Sequence, residues 1–183
     1  MNLEVIYIDI DGVLNMMPFD ALSKVTQRTI VKYPLPGNYD IVKNCNTLLP
    51  EPISDNDFWK RLDRNFWATM PKTLECNWLP DLCAQCVGRN NVFLLTSPVI
   101  DPDCLAGKLE WIYTNMPRWL HRQFLIGPHK WLCAKPSALL IDDYDKNLGE
   151  FRAYGGQTIL VPRPWNSGYT MCGSFNSQGE RNV

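Results

Sequence analysis

The sequence predicts an α/β protein, a doubly wound, mainly parallel five-stranded sheet with a small helical segment inserted after the first strand. Five short apolar runs (5–8, 92–95, 124–126, 139–141 and 158–161) are rich in β-branched and aromatic residues and nearly continuous rather than alternating, as strands buried on both faces read. The later runs are separated by segments with helical spacing. Between the first and second runs, residues 16–80 break this rhythm.

Taken in order, the first run leads directly into Asp9, Ile10, Asp11 and Gly12. The following stretch is punctuated by Pro18, Pro34, Pro36, Pro50, Pro52, Pro71 and Pro80. Its most regular piece, DNDFWKRLDRNFW, sets Phe58, Trp59, Leu62, Phe66 and Trp67 on one side behind an Asp55 or Asp57 cap, which predicts a helix. Another helix is expected to start near Pro80 and Asp81. After the second strand, Asp101 and Pro102 form a start signal for a helix in which Leu105, Leu109, Ile112 and Met116 recur at three- and four-residue steps. A further helix is expected from Lys146 to Tyr154, ended by Gly155 and Gly156. The resulting division is a core of residues 1–15 and 81–165, a helical cap of residues 16–80, and a loosely ordered tail, 166–183, rich in Gly, Ser and Asn.

Composition narrows the function. A chain of 183 residues suffices for one core with a modest insertion. Its 18 Lys and Arg stand against 19 Asp and Glu, so no net field draws it to long nucleic acid or anionic lipid. No apolar run approaches the ~20 residues that span a bilayer, and no basic leader precedes an apolar signal segment, so a cytoplasmic protein is expected. Seven cysteines without framework spacing fit reduced thiols. The single CxxC, Cys83 and Cys86, reads as two thiols on a helix in preference to half of a zinc site. Two histidines, His121 and His129, are too few for a histidine-rich metal site.

In sheets of this kind ligands sit at the carboxyl ends of the strands. The first run ends in Asp9 and Asp11, the second in Thr96 and Ser97, the third reaches His129 and Lys130, and the fourth ends in Asp142 and Asp143. Carboxylates converging on one crevice repel one another unless a cation sits among them, and an all-oxygen donor set suits Mg²⁺. The hydroxyls and the lysine beside them are suited to holding a phosphoryl group. Of two candidate lysines, Lys130 leaves the carboxyl end of its strand, whereas Lys135 precedes the next strand and is expected at the opposite edge.

The ordered set DIDGVL, LLTSP, a lysine and LLIDD resembles the haloacid dehalogenase superfamily of aspartate-nucleophile phosphatases, over residues 3–15 and about 91–165. With Cys104, Gly107, Lys108 and Trp111 in a CxxGKxxW-like stretch, it is similar to the 5'(3')-deoxyribonucleotidase group, whose helical cap lies where the insertion falls. The resemblance implies a Rossmann-like core and a cytoplasmic Mg²⁺-dependent 5'-nucleotidase. Asp9 is then the nucleophile and Asp11 the acid that protonates the departing oxygen and later takes a proton from water. The metal would be held by Asp9, the Asp11 carbonyl and one LLIDD carboxylate, with Asp143 favoured over Asp142 and exchange of the two left open. Phosphate would be held by Thr96, Ser97, Lys130 and backbone N–H groups brought in by the turn at Gly12. Asn147 is read as a helix cap or exposed amide in preference to a member of the metal's surroundings. Phe58, Trp59 and Trp67 are substrate-side candidates, although aromatics at helical spacing more often form a cap's own core. The expected partner is a small phosphomonoester, a (deoxy)nucleoside 5'-monophosphate. Alternatives are a polynucleotide 3'-phosphate, a sugar phosphate, or a phosphate-binding module without turnover. The resemblance leaves oligomeric state undetermined.

Overall fold

The computed structural model describes residues 2–17, 22–23 and 37–169. Five strands, β1 (Val5–Ile8), β2 (Val92–Thr96), β3 (Phe124–Ile126), β4 (Ala138–Asp142) and β5 (Gln157–Leu160), form one sheet. Their order is β3-β2-β1-β4-β5 and every pairing is parallel. The sheet grows outward from β1 on one side through β2 and β3, and on the other through β4 and β5. The order therefore reverses between β1 and β4, and such a reversal opens a crevice at the carboxyl ends of the strands.

The helices are α1 (Ile41–Asn46), α2 (Asp55–Trp59), α3 (Arg64–Ala68), α4 (Leu79–Val87), α5 (Pro102–Asn115) and α6 (Asp145–Ala153). Alternate strand residues serve opposite faces of the sheet. Ile6, Ile8, Leu94, Leu139 and Ile141 pack with Cys83 of α4 and Trp111 and Ile112 of α5. Val5, Leu95, Ala138 and Leu140 pack with Leu148 and Phe151 of α6. This two-sided burial accounts for the continuous apolar runs.

Two helical expectations need correction. The stretch DNDFWKRLDRNFW forms two short helices, α2 and α3. Ser54 Oγ caps α2 by accepting from the Asp57 N–H at 3.2 Å, and Asp63 caps α3 by accepting from the Phe66 N–H at 2.8 Å. Asp63 thus starts a second helix where the apolar spacing suggested one continuous turn, because a short acidic side chain competes for backbone N–H groups. In α5 the buried stripe is Cys104, Gly107, Lys108, Trp111 and Ile112, while Leu105 is 42% exposed. The stripe includes a glycine and a lysine, which a search for apolar periodicity passes over. Asn166, expected to begin a loose tail, is buried, and its amide donates to the carbonyls of Asp143 and Val161, each at 2.8 Å. The tail beyond residue 169 lies outside the described residues, as does much of 18–36.

The inserted stretch is tied to the core at its base. Asn15 bridges Lys72 in antiparallel fashion, the Met16 N–H donates to Pro71 O at 3.0 Å, and Thr73 donates from its N–H to Leu14 O at 3.0 Å and from Oγ1 to Val13 O at 2.6 Å. Trp111 Nε1 of α5 donates to Met70 O at 2.7 Å. Close approach of α3 to α5 depends on Gly107, where a Cβ would fall 2.5 Å from both the Arg64 carbonyl oxygen and Trp67 Cβ. Gly107→Ala is expected to separate these helices and lower stability by about 1–3 kcal/mol, read as a reduced urea midpoint. An unchanged midpoint rules out the tight contact.

Candidate active site

The loop after β1 and the ends of β2 and β4 meet at the crevice. Asp9 is buried; its N–H continues the pairing with β4 by donating to Ile141 O at 2.9 Å. Its Oδ1 accepts from the Ile10 N–H at 2.8 Å and lies 2.8 Å from Lys130 Nζ. Among the described residues this leaves Oδ2 without a hydrogen bond. Lys130, in a short 3-10 turn after β3, is 2% exposed and also donates to Asp142 Oδ2 at 2.7 Å. Lys135 lies elsewhere, donating to Glu4 at 2.8 Å beside the entry to β1.

The two carboxylates of the IDD stretch differ in their surroundings. Asp142 is fully engaged: Oδ1 accepts from the Tyr144 N–H at 2.8 Å, and Oδ2 accepts from Lys130 and from the Asn147 amide at 3.1 Å. Asn147 therefore touches the acidic cluster, contrary to the expectation of a cap or exposed amide. Asp143 accepts from Trp165 Nε1 through Oδ2 at 2.6 Å, while its Oδ1 is buried and has no hydrogen-bond partner among the described residues. One oxygen each from Asp9, Asp142 and Asp143 lies within 4.8 Å of the others. A bare, buried oxygen on a carboxylate grouped with two others fits a hard divalent cation, since leaving it dry and unpaired is costly. The donor set is all oxygen, as Mg²⁺ prefers.

Gly12 has φ +75, and a Cβ there would lie 2.0 Å from Asp143 Oδ2, so a glycine is required both by backbone and by space. Its own N–H donates to Asn15 O at 2.9 Å. The turn thus uses that N–H internally. The Gly12 carbonyl accepts from Arg163 Nε at 2.6 Å.

Asp11 forms an ion pair with Lys108. Lys108 Nζ also donates to Thr96 Oγ1 at 2.8 Å and to Ser97 O at 3.0 Å, and sits 5.6 Å from the centre of the Trp67 ring. Thr96 is fully buried, and its hydroxyl oxygen is held by this lysine; Ser97 Oγ donates to Gly127 O at 3.3 Å. Lys108 belongs to the CxxGKxxW-like stretch that carries the resemblance, but no site role was expected of it; its place on the buried stripe with Cys104 and Trp111 is the structural signal. Trp165, in a loop beyond β5, carried no signal at all.

Beside the cluster opens a cavity of about 720 Å³, walled by Tyr39, Trp59, Trp67, Trp131, Tyr144 and Trp165 among others. The Tyr39 and Tyr144 rings stack with centroids 3.6 Å apart. Two of the three aromatic candidates, Trp59 and Trp67, line this cavity, whereas Phe58 is fully buried against Trp59 and packs the core. Cys83 is buried and Cys86 exposed on α4, away from the carboxylates.

No family model matches the sequence, and no curated protein does. Solved structures do match. A haloacid dehalogenase-like family hydrolase from Streptococcus pneumoniae is 12% identical, with 93% of this chain and 90% of that one covered and a TM-score of 0.55. A subfamily IA hydrolase of the same superfamily from Geobacter sulfurreducens is 14% identical over 88% and 89% of the chains, with a TM-score of 0.52. A dehalogenase solved as an intermediate complex is 12% identical over 90% and 87%, with a TM-score of 0.53. These likenesses establish the fold as the Rossmann-like core of haloacid dehalogenase-like hydrolases. Among the described residues no helix is long and apolar enough to cross a membrane.

Burial pushes the Asp9 carboxyl up to about 7, with Lys130 opposing and the charges of Asp142 and Asp11 adding to the rise. Burial likewise raises Asp143 well above the usual carboxylate range, and the charges of Asp9 and Asp142 add to it. A carboxyl whose folded pKa exceeds its unfolded value favours the folded state at low pH and loses that contribution as pH rises through the folded pKa. Without a divalent cation, the thermal midpoint in EDTA is therefore expected to fall between about pH 5 and about pH 8, less steeply in Asp9→Asn. Mg²⁺ added at the higher pH is expected to restore it. A midpoint insensitive to both pH and Mg²⁺ contradicts this description of the cluster.

Proposed function

We propose that this protein is a Mg²⁺-dependent phosphomonoesterase acting on a (deoxy)nucleoside 5'-monophosphate through an aspartyl-phosphate. The observation that carries the reading is the buried Asp143 carboxylate, with Oδ1 lacking a hydrogen-bond partner among the described residues, grouped with Asp9 and Asp142, between which Lys130 lies. Asp9, Asp143 and the Asp11 carbonyl would hold Mg²⁺, which, when bound, offsets repulsion between a phosphate and the attacking carboxylate.

Asp9 attacks phosphorus through Oδ2, because Oδ1 is held by the Ile10 N–H and Lys130. Lys130 keeps the nucleophile oriented and supplies positive charge beside the transferred group. Asp11 protonates the departing alcohol oxygen and then takes a proton from the water that hydrolyses the phosphoenzyme. Lys108 holds Asp11 beside Thr96 and Ser97, so that acid, hydroxyl and phosphoryl group share one corner. An acid next to the nucleophile suits an alkoxide leaving group; a halide leaves without a proton. This favours phosphate ester hydrolysis over dehalogenation.

The nucleotide reading rests on the cavity. Its volume lies within the usual range for small-ligand sites, and its tryptophan and tyrosine walls suit a planar base better than a bare sugar. The near balance of charge speaks against a long polynucleotide. We further propose that residues 16–80 act as the cap that encloses this leaving group over a core of residues 1–15 and 81–165, in a cytoplasmic setting.

p-Nitrophenyl phosphate hydrolysis is expected with Mg²⁺, and to drop by about a thousandfold or more in EDTA or in Asp9→Asn. Equal rates in all three exclude the catalytic reading. Asp11→Asn is expected to slow phosphoenzyme breakdown in single-turnover traces while preserving the fold. A panel of nucleoside monophosphates, sugar phosphates and 3'-phosphorylated oligonucleotides then ranks substrates by phosphate release. Steep salt dependence would point to a polynucleotide instead.

A further inference from the structure

The loop leaving β5 reads PRPWN, residues 162–166, and commits three side chains to the site within four positions. Arg163 reaches the Gly12 carbonyl at 2.6 Å and pairs with Glu75 at 3.0 Å. Trp165 donates its indole N–H to Asp143 Oδ2 at 2.6 Å, and Asn166 donates to the backbone carbonyl of the same aspartate at 2.8 Å. Asp143 is thus gripped at both side chain and main chain by a segment about twenty residues downstream.

The grip selects one oxygen. Oδ2 is occupied by the indole N–H and crowded by Gly12, where any Cβ would fall 2.0 Å away. Among the described residues Oδ1 remains buried and without a hydrogen-bond partner, and an oxygen of this carboxylate lies within 4.8 Å of one from Asp9 and one from Asp142. The Trp165 ring also lines the cavity next to the carboxylates. One side chain therefore touches both the proposed cation ligand and the proposed leaving-group space.

We propose that Trp165 is a positioning residue for the cation: its indole N–H fixes the Asp143 carboxylate so that Oδ1 alone turns toward the ion, while its ring forms a wall of the leaving-group cavity. This rests on the phosphatase reading for the presence of the ion, and adds what orients its ligand. A ring that merely filled space would contribute packing without governing the carboxylate. Trp165→Phe separates the two, since it retains an aromatic wall and removes the N–H. Outer partners of metal ligands typically govern affinity by about 10- to 100-fold.

Calorimetric titration of the substrate-free, EDTA-stripped and dialysed protein with MgCl₂ provides the test. Trp165→Phe is expected to weaken Mg²⁺ binding by about tenfold or more. The Mg²⁺ concentration for half-maximal phosphatase rate should rise in step. Trp165→Leu is expected to show the same loss of Mg²⁺ affinity together with a raised KM for an aromatic leaving group, and serves if the Phe variant folds poorly. Mg²⁺ affinity in both variants within about twofold of the unsubstituted protein overturns the role of Trp165 and leaves the phosphatase reading intact. Absence of Mg²⁺ binding by the unsubstituted protein overturns both.

Discussion

Lys130 is the side chain on which the crevice depends. Parallel pairing of β1 with β4 brings Asp9 and Asp142 to neighbouring strand ends, and Asp143 follows at once. Buried like charges so placed oppose folding unless something of the other sign lies between them. Lys130, itself buried, bridges two of the three. Removing one partner from such a buried set costs about 3–5 kcal/mol, because the remaining charge is stranded. Counted formally, the four carboxylates Asp9, Asp11, Asp142 and Asp143 face the two ammonium groups of Lys130 and Lys108. The remainder is two negative charges, the complement of one divalent cation.

The same crevice is braced from three directions. The segments at the base of the inserted stretch, around Asn15 and Lys72, are hydrogen-bonded to each other, and Arg163 links the first of them, through Gly12, to Glu75 just past the second. From the far side Trp165 and Asn166 hold Asp143. The loop beyond β5 therefore joins the turn at Gly12, the base of the inserted stretch and the acidic pair. A fold with an exposed fifth strand gains in this way a reason to end that strand in a polar, proline-bounded turn.

Strands were legible because burial on both faces writes itself as uninterrupted apolar runs, and their ends were legible because aspartates interrupt those runs abruptly. Separating Lys130 from Lys135 needed only the direction of the chain at each end of a parallel strand. Much else was illegible for definable reasons. Lys108 lies on a helical stripe that apolar periodicity discards, since its burial is supported by Asp11, Thr96 and Ser97 from distant parts of the chain. Trp165 and Asn166 are ordinary loop residues until β5 is folded against β4. The break between α2 and α3 is a local competition, in which Asp63 captures a backbone N–H that a continuous helix would have used.

Lys108 also ties the inserted stretch to the proposed acid. It projects from α5 at the point where Gly107 lets α3 approach, and its ammonium lies over the Trp67 ring of α3. A cation over an indole face is attracted to it, and the attraction grows when both are desolvated, as here. The ammonium that holds the proposed acid, Asp11, is therefore held in turn by the insertion. Displacing α3 would alter the environment of Lys108 and, through it, the placement of Asp11 relative to Thr96. Under the proposed mechanism, closure over a leaving group and the placement of Asp11 beside it are thus one geometric event, set by a buried lysine between two tryptophan-bearing helices.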